Sequence, residues 1–233
     1  MDGKLLHHLI RHLVHDFLLY WLIEFPLNVL HVQLLVLQGS SSWSGKGYCP
    51  SFPATCPYVT AVGATMGPEL GQTEIACQSQ LGGVITTGGG FSTYYSTPSY
   101  QQSIVDYYFD NLKSKPRSGY NSEGRGYPDI AFIGVKYQVY IQGSIYSLYG
   151  TSASAPVLAA MVSLINAERL KNNQSSVGFL NPTLYAYGYG GSYYGSSSNS
   201  FEGKYPFNDI TSGVNNCTAT TDSGTAYRCS TTD

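Results

Sequence analysis

Histidine is missing from every position after His31 in this 233-residue chain. A serine nucleophile in that remainder has no neighbouring imidazole to activate it, so any base would have to be a carboxylate. Charge is also scarce: 11% of the residues are Asp, Glu, Lys or Arg, with 14 acids against 12 bases. The net charge of −2 comes with no Lys/Arg cluster that could release counterions from a phosphate backbone, which excludes nucleic acid as a partner. None of the five cysteines forms a CxxC pair, and no histidine lies among or after them. A zinc site is thereby excluded, and disulfides are the expected use. An unbroken apolar run of about 20 residues, the length that spans a bilayer, is missing too. Asp16 and Glu24 interrupt the most apolar stretch, and Pro26, Asn28, His31 and Gln33 dilute the residues after it, so a membrane span is not expected.

What is present divides into two compositions. Residues 1–38 hold all five histidines (His7, His8, His12, His15 and His31) and 12 of the 21 leucines, with one glycine and one tyrosine. This head reads as an amphipathic helix joined to a strand, or as residues appended by an incorrect gene model. Lys4 and Arg11 give it a basic start, but no small-residue cleavage site of a signal peptide comes after them. Residues 39–233 form the second unit, punctuated by Gly, Ser, Pro and Tyr and long enough for one substantial core.

Short β-branched and aromatic runs predict strands over 58–64, 129–135 and 137–141, the last two as neighbours. Ser99, after Pro98, predicts an N-cap, with Ile104, Val105, Tyr108, Phe109 and Leu112 on one face of the helix it opens. Pro156 predicts the first turn of a second helix that runs to about Leu170 and buries Val157, Met161, Leu164 and Ile165. Strands alternating with helices predict an α/β layer fold. Residues 186–205, rich in Tyr, Gly and Ser, show no period and read as a long surface loop.

The sequence GTSASAP at 150–156 places small residues immediately before the second helix. A hydroxyl held there meets backbone N–H groups and the positive end of the helix dipole, both of which favour developing negative charge. Ser152 is the candidate nucleophile, although such a run also serves as an ordinary N-cap. A carboxylate base suits chemistry run in acid, where a carboxyl pair can share and relay a proton. The glycines at 88–90 invite a phosphate-loop reading, but no GK[ST] comes after them.

Six segments, in order, carry a resemblance to a known family. They are FPATCPYVTAVGAT (52–65), GGGFSTYYSTPSYQQ (88–102), GRGYPDIA (124–131), GTSASAP with VLAAMVSLINAERL (150–170), GFLNPTLY (178–185) and FNDITSG (207–213). Over about residues 35–229 the chain resembles the sedolisins, serine-carboxyl peptidases that include tripeptidyl-peptidases. The resemblance implies a subtilisin-like α/β fold, a mainly parallel sheet flanked by helices, truncated at both ends. It also implies acid proteolysis of a peptide or protein substrate through an acyl-enzyme, with Ser152 in the nucleophile's place and carboxylates in place of the usual His.

Residue by residue the match is incomplete. The family's Glu/Asp pair belongs on a helix upstream of Gly39, at the i, i+4 spacing that puts both carboxyls on one face. Asp16 and Glu24 are eight apart and in reverse order, so neither is assigned. LVLQGSS at 35–41 is the nearest match to the family's oxyanion turn, with Gly39 in place and Ser40 where an Asp would stand. Loss of one oxyanion donor typically costs about 100-fold to 1000-fold in turnover. This chain is therefore expected to be inactive as it stands, the alternative being a non-catalytic secreted glycoprotein fragment or a peptide-binding relic. Asp129 is expected to be a buried structural carboxylate near Arg125, and the glycines at 88–90 to be flexible backbone beside a peptide cleft.

Asp209 and the carbonyl of Ile210 match two calcium ligands of the family, so a Ca2+ site is implied, although the ion takes six to eight oxygens. The family's other ligands are expected beyond Asp233. Cys217 and Cys229 match a disulfide-bearing loop of relatives, Cys56 and Cys77 are a second candidate pair, and Cys49 is left over. Sequons at Asn173–Ser175 and Asn216–Thr218, together with disulfides and acid chemistry, imply secretion or a lysosome-like compartment.

Overall fold

The structure is a computed structural model, and it describes residues 32–33, 48, 50–112, 118–188 and 207–215. Most of the head, Gly39 and Ser40, Cys49, the Cys217–Cys229 pair, the second sequon and the predicted loop after Gly188 lie outside the described residues. In chain order the elements are β1 (Val32–Gln33), β2 (Thr60–Met66), β3 (Ile75–Ala76), β4 (Gly90–Ser96), α1 (Gln102–Asn111), β5 (Gly124–Tyr127), β6 (Ile130–Ile133), β7 (Tyr137–Ile141), β8 (Ser144–Leu148), α2 (Thr151–Lys171) and α3 (Asn181–Gly188).

Strand β2 organises the main sheet. All seven of its residues, TAVGATM, are buried, the pattern of a strand covered on both faces. It runs parallel to β1, with Val32 opposite Thr60, and parallel to β6, with Val62 opposite Ile130 through Thr65 opposite Ile133. Among the described strands, β3 alone joins this sheet antiparallel, with Ala76 opposite Thr65. The expected α/β fold with a mainly parallel central sheet is therefore present, supplemented by two antiparallel pairs, β4–β5 and β7–β8.

The strand predicted over 58–64 begins two residues later, and the one over 129–135 contracts to Ile130–Ile133. Strand β7 lies where the sequence predicts it, but its neighbour is β8 and not β6. Gln142 (φ 48°) and Gly143 (φ 83°) both adopt positive φ and close a two-residue hairpin between Ile141 and Ser144. That is the turn whose twist matches paired antiparallel strands, so β7 folds back locally instead of reaching across to β6.

Helix α1 starts at Gln102 with Gln101, not Ser99, as its cap, because the Gln101 amide donates to the Pro98 carbonyl in a turn that delays the helix by two residues. Of its predicted apolar face Val105 is buried, and Phe109 stacks on Phe91 at 5.0 Å and on Tyr120 at 5.7 Å between ring centroids. Tyr108 stays partly exposed.

Helix α2 starts five residues before Pro156, which lies inside it rather than in its first turn. Its buried side is Thr151, Ser154, Ala155, Leu158 and Val162, and the predicted stripe is rotated outward: Met161, Leu164 and Ile165 are 46%, 73% and 49% exposed. Small side chains at 154 and 155 let the helix approach the sheet closely, and this contact sets the rotation. Val62 packs on Ala155, Leu158 and Val162, flanked by Ile130, Phe132, Val177 and Leu180. Burying a side chain such as Leu158 contributes about 1.5–3 kcal/mol. No helix among the described residues is long and apolar enough to cross a membrane.

The expected Cys56–Cys77 bridge is absent; both are free thiols. Cys77 is buried beside Met66 and Val135, with its sulfur 3.3 Å from the Ile85 carbonyl, and behaves as a small core residue.

Candidate active site

Contacts on both sides of Ser152 tie its segment to the sheet. The Gly134 amide donates to the Thr65 carbonyl at 2.9 Å, and the Gly150 amide donates to the Gly134 carbonyl at 2.7 Å. The Ser154 hydroxyl lies 3.1 Å from both the Phe132 and the Ile133 carbonyls. GTSASAP is thereby tied to the carboxyl ends of the parallel strands β2 and β6, where open α/β sheets form their ligand crevices. Two glycines make this approach sterically allowed. A Cβ on Gly134 would sit 2.5 Å from the Ala64 Cβ, and Gly150 holds φ +151°.

Ser152 is half-buried, one residue into a 21-residue helix, between the fully packed Thr151 and Ser154. Its hydroxyl has no hydrogen-bond partner among the described residues. Pro156 has no N–H, so the Ser152 carbonyl loses its usual i+4 donor. The positive end of the helix dipole favours an anion formed at this position by up to about 1 kcal/mol. The arrangement holds a hydroxyl where negative charge is stabilised, and no proton acceptor stands beside it among the described residues.

The buried carboxylate of Asp129, in the segment before β6, is engaged in a network of its own. Asp129 and Arg125 have no side-chain exposure and pair at 2.5 Å. Asp129 also accepts from the Ala61 amide at 2.7 Å and from the Tyr185 hydroxyl at 2.9 Å. Burial pushes its carboxyl above the ordinary Asp range, while the Arg125 guanidinium and these donors oppose that rise. The expected structural role for Asp129 matches this geometry. Around it, Gln101 brackets Gly126 through both ends of its amide, and its Nε2 also contacts the Tyr185 hydroxyl. Asn181 accepts from Thr60 at 2.7 Å and donates to Val59 at 3.0 Å. Sequence reading did not single out Gln101, Tyr185 or Asn181, although all three fall in the matched segments.

Glu74, also missed, accepts from Thr65 Oγ1 at 2.6 Å and from Asn208 Nδ2 at 3.1 Å. With the Ala76 amide donating to Ser212 at 3.0 Å, it docks segment 207–215 against the end of β2. Asp209 on that segment is exposed and Ile210 half-buried. No group of three His, Cys, Asp or Glu gathers to hold a metal among the described residues. Asp209 and Ile210 offer two oxygens where calcium takes six to eight, so the described residues do not by themselves fit a calcium site. Gly88 and Gly89 are buried, and a Cβ on Gly89 would meet Asn215 Nδ2 at 2.9 Å. The expected flexible backbone is in fact closely packed.

The Subtilase family profile matches residues 41–177, more than half of the chain. The chain belongs to the subtilase family. Its curated relatives bear out the sedolisin-type resemblance read from the motifs. Tripeptidyl-peptidase sed1 of Aspergillus fumigatus is 40% identical over 190 residues, which cover 73% of this chain and 26% of that protein. Probable tripeptidyl-peptidase SED3 of Trichophyton verrucosum is 40% identical over 139 residues, 60% of this chain and 22% of that protein. The chain thus spans about a quarter of the length of the curated relatives it matches. Among solved structures, Pseudomonas sedolisin, a serine-carboxyl proteinase complexed with two molecules of pseudo-iodotyrostatin, aligns at 25% identity with a TM-score of 0.43, covering 64% of this chain and 40% of the other.

Proposed function

We propose that residues 41–215 form the serine-bearing part of an acid peptidase of the sedolisin type, in which Ser152 attacks a peptide carbonyl to give an acyl-enzyme. The observation that carries this reading is a half-exposed hydroxyl at a helix N-terminus, locked onto the carboxyl ends of parallel strands. The tripeptidyl-peptidase relatives support a peptide or protein substrate, with release of tripeptides the leading form and internal cleavage the other. Acid working conditions and secretion belong to the same reading. So does calcium, with Asp209 and Ile210 as two ligands and the remaining oxygens supplied from outside the described residues.

The bare hydroxyl of Ser152 favours one refinement: this 233-residue chain alone does not turn over. A serine is a weak nucleophile without a base to take its proton. The same observation supports a second reading, a peptide-binding relic that holds substrate without cutting it. The test is acid digestion of a protein substrate by the protein purified from its source, with its intact mass determined. Tripeptide products lost in Ser152→Ala support the peptidase reading. Saturable peptide binding without cleavage supports the relic.

A further inference from the structure

Three Asn-x-Ser/Thr triplets occur in the chain, and one of them stands out structurally. Asn181-Pro-Thr183 is blocked by its central proline, and Asn181 is fully buried in the Thr60–Val59 network. Asn216-Cys-Thr218 lies outside the described residues. Asn173-Gln-Ser175 forms the turn that ends α2, and every residue from Lys171 to Ser175 is exposed.

Backbone bonds make this turn a Schellman motif. The Asn173 amide donates to the Leu170 carbonyl at 3.0 Å and the Gln174 amide donates to the Arg169 carbonyl at 2.9 Å, with Asn173 at φ 56°. The turn holds its shape through the main chain, so the Asn173 side chain is not needed to build it. That side chain makes no hydrogen bond among the described residues. Among the described residues Ser175 is engaged only through its carbonyl, which accepts from Arg169 Nε at 2.7 Å, and its hydroxyl has no partner there, as the second element of an acceptor site requires.

We propose that Asn173 is an N-glycosylation site. The oligosaccharide comes from a lipid-diphosphate donor: a bond forms between Asn173 Nδ2 and the anomeric carbon, the anomeric C–O bond to the diphosphate breaks, and the amide loses one proton. Twenty-one helical residues at 1.5 Å each put the glycan about 30 Å from Ser152, so it does not crowd the candidate site. A competing account places asparagine here only because it tolerates positive φ at a helix end. The proposal rests on the secretory reading above.

The test separates these accounts. The native protein is recovered from extracellular and intracellular fractions, treated with peptide-N-glycosidase, and the peptide holding residues 173–175 is read by mass spectrometry for conversion of Asn173 to Asp. Conversion in the extracellular form is expected. In parallel, Ser175→Ala removes the glycan while Ser175→Thr retains it, and deglycosylated wild type and Ser175→Ala melt at the same temperature. Extracellular protein with unmodified Asn173 overturns the proposal and leaves secretion standing, whereas intracellular, unmodified protein overturns both. A mass shift on the peptide holding residues 173–175 that survives in Ser175→Ala is not a sequon-dependent glycan and also overturns it.

Discussion

The amide of Gly150 donates to the carbonyl of Gly134 at 2.7 Å, joining the loop before Ser152 to the end of β6. Gly134 can occupy that place only without a side chain, since an added Cβ would lie 2.5 Å from that of Ala64. Gly134→Ala is therefore expected to destabilise the fold by about 1–3 kcal/mol, the usual cost of forcing a methyl into a packed site. Urea unfolding measures it, and an unchanged midpoint would mean that β6 and β2 can spread apart without penalty.

Two serines two residues apart are expected to behave oppositely. Ser152→Ala touches a half-exposed hydroxyl with no described partner and shifts stability by less than about 0.5 kcal/mol. Ser154→Ala removes a buried hydroxyl lying against two carbonyls and costs about 1–3 kcal/mol. Thermal melts of the two variants decide whether 152 is the position kept free for chemistry.

Arg125 and Asp129 form a fully buried pair, so removing one partner is far more costly than the pair's own net worth. Arg125→Met is expected to cost about 3–5 kcal/mol. Because burial raises the folded pKa of Asp129 above its unfolded value, the folded state binds that proton more tightly. The stability this group contributes is fully present below the unfolded value, about 3.9 for Asp, and is lost as pH rises through the raised folded value. Wild type should therefore lose stability relative to Asp129→Asn on going from acid to neutrality. In Arg125→Met, without the opposing guanidinium, the loss should extend to higher pH. Melting temperatures across that range test the sign.

Cysteine chemistry gives a fourth expectation. Burial, with a smaller contribution from the charge of Glu69, pushes the Cys77 thiol up to about 12. Alkylation needs the thiolate, so native Cys77 should resist iodoacetamide at mildly alkaline pH. In denaturant without reductant both Cys56 and Cys77 should be alkylated. Protection of the two together under those conditions would restore the bridge that the structure lacks.

The sequence made the α/β class legible because β-branched runs alternate with helical stretches, and it placed strand β7 at its observed bounds. Ser152 was legible only as a candidate, because small residues before an apolar helix also serve as ordinary N-caps, and the structure places it as the second residue of α2 with a half-buried side chain. The rotation of α2 was not legible: Met161, Leu164 and Ile165 form a good apolar stripe, but the hydrogen bonds of Gly150 and Ser154 to β6 turn the smaller residues inward. Long-range polar pairs were equally hidden. Nothing local in the sequence couples Gln101 to Gly126 or Glu74 to Asn208, since each pair is made only when separate segments meet. The Cys56–Cys77 pairing failed because spacing along the chain carries no information about which core pocket a small apolar-like thiol fills.

The most direct test of the account is hydrolysis of an internally quenched peptide at acid pH by the purified 233-residue chain and by its Ser152→Ala variant. With no proton acceptor beside Ser152 among the described residues, both are predicted to give the same background rate. Hydrolysis above background that disappears in Ser152→Ala would contradict the account and require a base that reaches Ser152 from outside the described residues.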